Sequence, residues 1–523
     1  MRVIDFFDRG AAIAPDREAL VSAEHRLTYR EVRRLTLRIA ASLAARAGGN
    51  PDAVGTVAVW SPNHAMAFAC LLGGLRAGGI WAPINARSHA DDNIDFLATA
   101  DCQRLFIHSS FAQHLPAIRA GVPTLQDVVC IDQRLDGVPS LDDVLAGAAD
   151  AEARAPDLRP DPQRIAAYFP TGGTTGRSKA VTLTEQVWSA LVAITHAAMP
   201  PVDHPVYLVA APMTHAAGAM ALPMLAAGAK VVIIDRADPL EVMQAIDREK
   251  VTDLFLPPTV IYGMLGHPRL RDFDYSSLKH FIYAASPMAP DKLAEAIRVF
   301  GPVMAQTYGQ AEAPMLCTFL SPADHAAAAA DPALAHRLAS CGRPTLLARV
   351  AIMDDDGLLL PPGDRGEIVV RGDLVMAGYH KNPAATEEVS SHGWHHTGDV
   401  GWMDDDGYVY IVDRKKDMII TGGFNVYSAE VENVIQGHAA VQNCVVIGVP
   451  DPKWGEAVTA VVEPVPGATV TEDELIALCR SRLGPVKTPK SVLFEDHLPR
   501  SPVGKILKRA VRDRFWTGRD RLV

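Results

Sequence analysis

The sequence predicts an α/β protein in which a large N-terminal body of layered α/β sheets carries a β-rich subdomain and is followed by a small α+β domain. Three observations lead there. Helical patterns alternate with short apolar runs along most of the chain. Around residue 340 the texture turns to β-prone segments flanking two Asp-Asp-Asp-Gly turns. A charged run at 413–417 then separates this region from a tail with strands and helices of its own.

Taken in order, residues 29–45 read as a helix followed by a strand at 53–60, and the unit repeats as 65–77 then 79–83. Strands at 206–211 and 253–257 and helices at 239–249 and 291–300 continue the pattern, as expected of mostly parallel sheets covered by helices. The uncharged run 216–229 is too short to span a bilayer, and Gly218, Pro223 and Gly228 mark it as a buried soluble segment. The alanines of 326–330 fit a helix. Asp354-Asp-Asp-Gly357 and Asp404-Asp-Asp-Gly407 serve turns, because the spacing of a calcium loop with its distal glutamate is missing. The run Asp413-Arg-Lys-Lys-Asp417 lies between apolar strands at 408–412 and 418–420, where continuous burial would be costly, and this makes it a domain boundary. Beyond it a helix opens at Ser428, strands follow at 441–449 and 457–464, Thr471 to Glu474 form a capping box, and 491–494 is a further strand.

Composition narrows the function classes. With 48% hydrophobic and 21% charged residues the chain is globular rather than disordered or membrane-embedded. A formal net charge of −11 argues against charge-driven binding of nucleic acid or anionic membrane, so a polyanionic ligand requires a locally positive site. Seven cysteines without a C-x-x-C pair suggest neither a disulfide framework nor a zinc site, and a reducing compartment fits them. Asp5 and Asp8 interrupt the first apolar stretch, so no secretion signal is expected and the cytoplasm is the expected location.

The sharpest local feature is Tyr168-Phe-Pro-Thr-Gly-Gly-Thr-Thr-Gly-Arg-Ser-Lys179. Glycines let a backbone approach phosphate closely, threonines add hydroxyl donors, and the terminal cation compensates charge. The loop is not a Walker A motif, because a strand-like 181–183 follows where that motif opens a helix. Further motifs come in sequence: Pro212-Met-Thr-His215, Ala284-Ala-Ser-Pro287, Tyr308-Gly-Gln-Ala-Glu312, Gly342-Arg-Pro344, Gly393-Trp-His-His-Thr-Gly-Asp399, Asp413-Arg-Lys-Lys-Asp417, Gly422-Gly-Phe424 and Pro499-Arg-Ser-Pro-Val-Gly-Lys505. In this order they resemble the adenylate-forming (AMP-binding) superfamily of acyl-CoA synthetases, nonribosomal-peptide adenylation domains and beetle luciferases, over nearly the full length. The resemblance lies closest to the acyl-CoA synthetase (fatty-acid–CoA ligase) branch.

The resemblance implies ATP, Mg²⁺ and coenzyme A. In the family a carboxylate attacks the α-phosphate of ATP, pyrophosphate leaves, and a thiol then takes the acyl group from the adenylate with release of AMP. Positioning and charge compensation suffice for the first step. It implies a phosphate-binding role for Thr171, Gly172, Gly173, Thr174, Thr175, Gly176 and Lys179, and nucleotide contacts at Ala284, Thr307, Tyr308, Gly309, Asp399, Arg414 and Gly423. Tyr308 would offer a face to adenine, Asp399 would accept from the ribose hydroxyls, and Glu312 would stand with the metal as a hard oxygen ligand. Lys505 would bridge carboxylate and phosphate oxygens, and His215 would lie beside the acyl group. Lys416 matches the position about which a mobile C-terminal domain rotates between the two steps, so the expected division is 1–412, a hinge at 413–417 and a lid domain at 418–523. Read as bare residues, these have ordinary alternatives: a surface Glu312, core packing for Tyr308 and His215, a turn or cap at Asp399, a salt bridge at Arg414, a solvated tail lysine at Lys505 and a tight turn at Gly422-Gly423.

Ser178, Ala180 and Glu185 depart from the usual proline, glycine and histidine, and Ala311 replaces a common threonine whose hydroxyl contacts the adenylate phosphate. The expected function is an ATP-dependent acid:CoA ligase acting on a hydrophobic acid, fatty or aromatic, since Ala216, Ala217, Gly218, Ala219, Met220, Ala284 and Ala285 are small or apolar and suit a slot for a hydrocarbon acid, as they also suit ordinary helix packing. The alternative is an enzyme loading an amino or aryl acid onto a carrier protein. An α-ammonium group calls for an acidic partner, yet 213–225 holds no Asp or Glu, and no carrier domain is expected from the sequence to residue 523. A non-catalytic nucleotide binder and a luciferase-like oxygenase are further readings. The expected oligomeric state is a monomer or a homodimer.

Overall fold

The computed structural model describes residues 1–148, 158–171, 178–284, 286, 288–500 and 506–516. They belong to two compact units, one of 1–350 with 370–395 and the other of 351–369 with 396–523.

The first unit contains two large sheets. In the nine-stranded one, Glu18–Val21, Lys230–Ile233, Val206–Val209, Asp253–Leu256, His280–Tyr283 and Met304–Gln310 run parallel as neighbours in that order. Ala313–Leu320 folds back antiparallel on Met304–Gln310. In the seven-stranded sheet the strands Ile80–Pro83, Thr56–Trp60, Cys102–Ile107 and Asp127–Cys130 are parallel, while Ile165–Thr171 and Lys179–Thr184 form an antiparallel pair edged by Gly378–Tyr379. Burial explains why the central strands read as continuous apolar runs: every residue of Thr56–Trp60 and Asp253–Leu256 is buried. Helices start where their caps stand. Thr28 and Glu31 form a capping box for Tyr29–Arg46, and Asp238 accepts two amides ahead of Pro239–Glu249. The segment 216–229 supplies the buried helix Ala216–Ala226, with Pro223 inside it. All seven cysteines are buried, and none forms a disulfide among the described residues.

The second unit holds most of a four-stranded sheet, ordered Ala348–Met353, Gly366–Gly372, His395–Met403, Val409–Arg414. Both acidic turns use their first aspartate as an acceptor of turn amides: Asp354 from Asp356 and Leu358, and Asp404 from Tyr408. Gly357 and Gly407 take the positive φ that such turns need. A second sheet orders Phe424–Val426, Ile419–Thr421, Gly455–Pro464 and Val441–Asp451, with Ser491–Phe494 parallel to Gly455–Pro464. Helices Ser428–Gln436 and Glu472–Lys487 belong to the same unit, the latter capped by the Thr471–Glu474 box. The charges of 413–417 find partners within it. Asp413 accepts from Ser428 Oγ at 2.6 Å, Lys415 meets Asp355 at 2.7 Å, and Arg512 meets Asp417 at 3.5 Å.

Candidate active site

In the first unit the two ends of the phosphate-loop sequence are cross-strand partners, Thr171 opposite Lys179, and Ser178 Oγ donates to the Thr171 carbonyl at 3.1 Å. The strand expected at 181–183 is present as Lys179–Thr184. Gly172, Gly173, Thr174, Thr175 and Gly176 lie outside the described residues, as do Ala285 and Lys505.

Lys179 and Glu312 are brought together by Tyr379, which the sequence reading did not single out. The Lys179 ammonium sits 4.6 Å from the centroid of the Tyr379 ring, and the Tyr379 hydroxyl donates to Glu312 Oε1 at 2.7 Å. Burial and the neighbouring Glu312 charge push the Tyr379 phenol well above its ordinary range, so it keeps its proton. Glu312 is 6% exposed, and among the described residues its Oε2 has no hydrogen-bond partner. A buried carboxylate oriented through one oxygen fits a hard cation that retains water and binds phosphates, so the residues present are compatible with Mg²⁺.

Glu312 stands on the turn between Met304–Gln310 and Ala313–Leu320, whose register shifts after Tyr308. Gly309 is required there by space: a Cβ would lie 2.6 Å from the Met315 nitrogen and 2.7 Å from the Ala313 carbonyl oxygen. Met315 is held at φ +65, a left-handed conformation that stores strain of about 1–3 kcal/mol in a non-glycine residue. Thr307 is 2% exposed, and its Oγ1 has no partner among the described residues. Such an orphan costs about 1–3 kcal/mol until water or ligand satisfies it. Tyr308, Ala284 and Ala311 are half-buried, and both alanines pack on the main core.

His215 is the N-cap of Ala216–Ala226, its Nδ1 accepting from the Ala216 amide at 2.9 Å. That bond places the neutral ring's proton on Nε2. The ring is solvent-exposed, and desolvation by the protein around it lowers its pKa. Of the small residues after it, Ala217, Gly218, Ala219 and Met220 are buried core, leaving Ala216 as the half-buried one. Glu185, at the departure from the usual histidine, accepts from the Val3 amide at 2.5 Å and tethers the helix Val3–Ile13; burial raises its carboxyl to about 7.

In the second unit Asp399 and Arg414 are directly opposed across the hairpin, with Arg414 Nε 2.6 Å from Asp399 Oδ1. Asp399 therefore lies in a strand rather than in a turn or cap, and the salt bridge noted as the ordinary alternative for Arg414 is present. Thr397 Oγ1 donates to the Ile368 carbonyl, and the Gly398 amide donates to Glu367 Oε1, which fixes the Thr-Gly-Asp segment. Gly422 and Gly423 both take positive φ between the paired residues Thr421 and Phe424, as a two-residue type I′ hairpin demands. Lys416 belongs to the short turn Lys415–Asp417. On either side of 501–505, Arg500 and Ile506 form an antiparallel bridge. Lys508 donates to Ser428 Oγ at 2.6 Å and meets Glu432 at 2.8 Å.

Among the described residues, Glu24, His25 and His64 bring ligand-type atoms within 4.8 Å of one another. His64 Nδ1 accepts from the Met66 amide, so its neutral ring carries the proton on Nε2 toward Glu24 and offers no lone pair to a metal. No helix among the described residues is long and apolar enough to cross a membrane.

Residues 7–380 match the family model of the AMP-binding enzyme, and residues 430–505 match that of the AMP-binding enzyme C-terminal domain. The chain is 41% identical to the medium/long-chain-fatty-acid–CoA ligase FadD8 of Mycobacterium tuberculosis, over 79% of this chain and 72% of that one. It is 38% identical to a feruloyl-CoA synthase of Amycolatopsis, over 97% and 98% respectively. The solved structure of the amide bond synthetase McbA from Marinactinospora thermotolerans superposes with a TM-score of 0.87 at 30% identity, covering 98% of this chain and all of that one.

Proposed function

The chain belongs to the AMP-binding enzyme family as an acyl-CoA synthetase, and from that premise we propose that it activates a hydrophobic carboxylic acid, fatty or aromatic, as an adenylate and passes it to coenzyme A. A carboxylate oxygen bonds to the α-phosphorus of ATP and the bond to pyrophosphate breaks. The CoA sulfur then bonds to the acyl carbon, AMP departs, and the thiol proton is lost to solvent. The observation that carries this reading is the convergence in one unit of Lys179, beside the phosphate-loop sequence, with a buried Glu312 whose second oxygen is unengaged among the described residues. Mg²⁺ bound there would supply positive charge to the phosphates. Glu312 would hold it, and as the family resemblance implies, Lys505 would compensate the α-phosphate while Asp399 and Arg414 would serve the ribose. His215, neutral at physiological pH, offers an Nε2–H to the acyl region without adding charge.

A hydrophobic acid is supported by the alanines at 216, 284 and 311 and by the absence of Asp and Glu from 213–225. Fatty-acid and aromatic-acid ligases among the relatives support both substrate types. Lys416 is proposed as the hinge, with 1–412 and 418–523 as the moving parts, and seven cysteines without a C-x-x-C pair support a cytoplasmic setting. A second reading, with an amine as acceptor in place of the thiol, is favoured by the likeness to an amide bond synthetase. ATP–pyrophosphate exchange across fatty, aryl and amino acids, followed by addition of CoA, amine or a carrier-protein thiol, tests the set. Exchange with hydrophobic acids and capture by CoA is expected; exchange confined to amino acids would overturn the substrate class.

A further inference from the structure

We propose that Tyr379 is a positioning residue for adenylation, its hydroxyl aiming the Glu312 carboxylate toward phosphate-bound Mg²⁺ while its ring seats Lys179 beside the phosphate-loop sequence. This rests on the reading of Glu312 as the magnesium-associated carboxylate. Tyr379 joins the two sheets of the first unit. Its strand pairs with Lys179–Thr184, and its hydroxyl reaches the Glu312 turn of the other sheet. The Met376 amide donates to the Glu312 carbonyl at 2.8 Å, so the segment 376–379 holds that residue by backbone and by side chain.

The chemistry of the donor matters. A phenol has one O–H, and spending it on Oε1 fixes the carboxylate rotamer while leaving Oε2 open. A lysine or arginine in its place would cancel the charge a cation needs; a neutral donor orients the carboxylate and preserves that charge. The phenol is itself held. The Tyr379 amide donates to Thr386 Oγ1 at 2.9 Å, and that hydroxyl donates to the Asn382 carbonyl at 2.9 Å. Gly378 precedes it at φ +140, with Thr386 Cγ2 2.8 Å from where a Cβ would stand. The ring then serves a second charge. Lys179 over its face is attracted by the π-electrons and kept beside the loop sequence, with no ion pair among the described residues that phosphate would have to break.

The test uses the full chain as wild type, Tyr379→Phe, Tyr379→Leu, Glu312→Gln and the Phe/Gln double variant. ATP affinity is measured by calorimetry in EDTA and at graded Mg²⁺, alongside the Mg²⁺ dependence of ATP–pyrophosphate exchange. Tyr379→Phe is expected to raise the half-saturating Mg²⁺ by roughly tenfold, the scale of one hydrogen bond to a charged group, with ATP affinity in EDTA unchanged. Tyr379→Leu should weaken ATP binding in EDTA as well, because the seat of Lys179 is lost. The double variant should be no worse than Glu312→Gln alone. A wild-type Mg²⁺ dependence in Tyr379→Phe, additive effects in the double variant, or equal losses with and without Mg²⁺ would each overturn the positioning role. Equal EDTA affinities for the Leu and Phe variants would overturn the seating of Lys179. If Glu312→Gln itself leaves the Mg²⁺ dependence unchanged, the magnesium reading of Glu312 fails instead.

Discussion

Substituting Gly309 by alanine should cripple nucleotide activation while leaving the chain folded. A Cβ there would stand 2.6 Å from the Met315 nitrogen, 2.7 Å from the Ala313 carbonyl oxygen and 2.9 Å from the Met315 carbonyl carbon. All three are backbone atoms, so no rotamer change relieves the overlap and the turn carrying Glu312 has to move. Overpacking of this kind costs about 1–3 kcal/mol, and Met315 already carries left-handed strain at φ +65. Displacing Glu312 and Tyr308 by about an ångström is worth on the order of 100-fold in rate for a reaction governed by positioning. ATP–pyrophosphate exchange should therefore fall roughly 100-fold in kcat/KM, with near-wild-type circular dichroism. Gly301→Ala is the control: its Cβ would meet nothing within 4 Å and only φ +89 is violated, so exchange should change little. Exchange by Gly309→Ala within about threefold of wild type would refute the claim that the close approach at Met315 sets the nucleotide turn.

Arg414→Met leaves the buried Asp399 carboxylate without its 2.6 Å partner; KM for ATP should rise at least about tenfold, and an unchanged KM would remove both residues from the nucleotide side. Burial lowers the pKa of His325 to about 4, so the unfolded chain takes up its proton near 6.5 and the folded one does not. Its contribution is complete above pH 6.5 and falls by about 3 kcal/mol as pH drops toward 4; the fall in thermal midpoint across that window should be shallower in His325→Gln, and identical slopes would contradict the assignment. Lys416→Pro should spare pyrophosphate exchange and impair thioester formation from the same acid, whereas an unaffected overall rate would remove the hinge.

Much of the layout was legible because it is local. The caps at Thr28, Asp238 and Thr471 and the Asp-Gly turns at 357 and 407 are short-range signals, and the elements they bound appear where expected. Continuous apolar runs announced the parallel strands because both of their faces are covered. Site chemistry was legible only where a motif carried it. Tyr379 was invisible, since its partners Lys179 and Glu312 are brought to it by sheet pairing over long sequence separations, and no spacing rule links the three. The small residues after His215 were misleading in part, because helix burial and ligand lining select the same side chains; the fold assigns Ala217, Ala219 and Met220 to the core.

The most direct measurement follows the oxygens of the acid. A hydrophobic acid carrying ¹⁸O in both carboxylate positions is incubated with the enzyme, ATP, Mg²⁺ and CoA, and the products are weighed by mass spectrometry. Attack of the carboxylate on the α-phosphate predicts one ¹⁸O in AMP for each acyl-CoA formed, the other remaining in the thioester carbonyl. Unlabelled AMP, label in released phosphate, or AMP without acyl-CoA would contradict an acid:CoA ligase working through an acyl-adenylate.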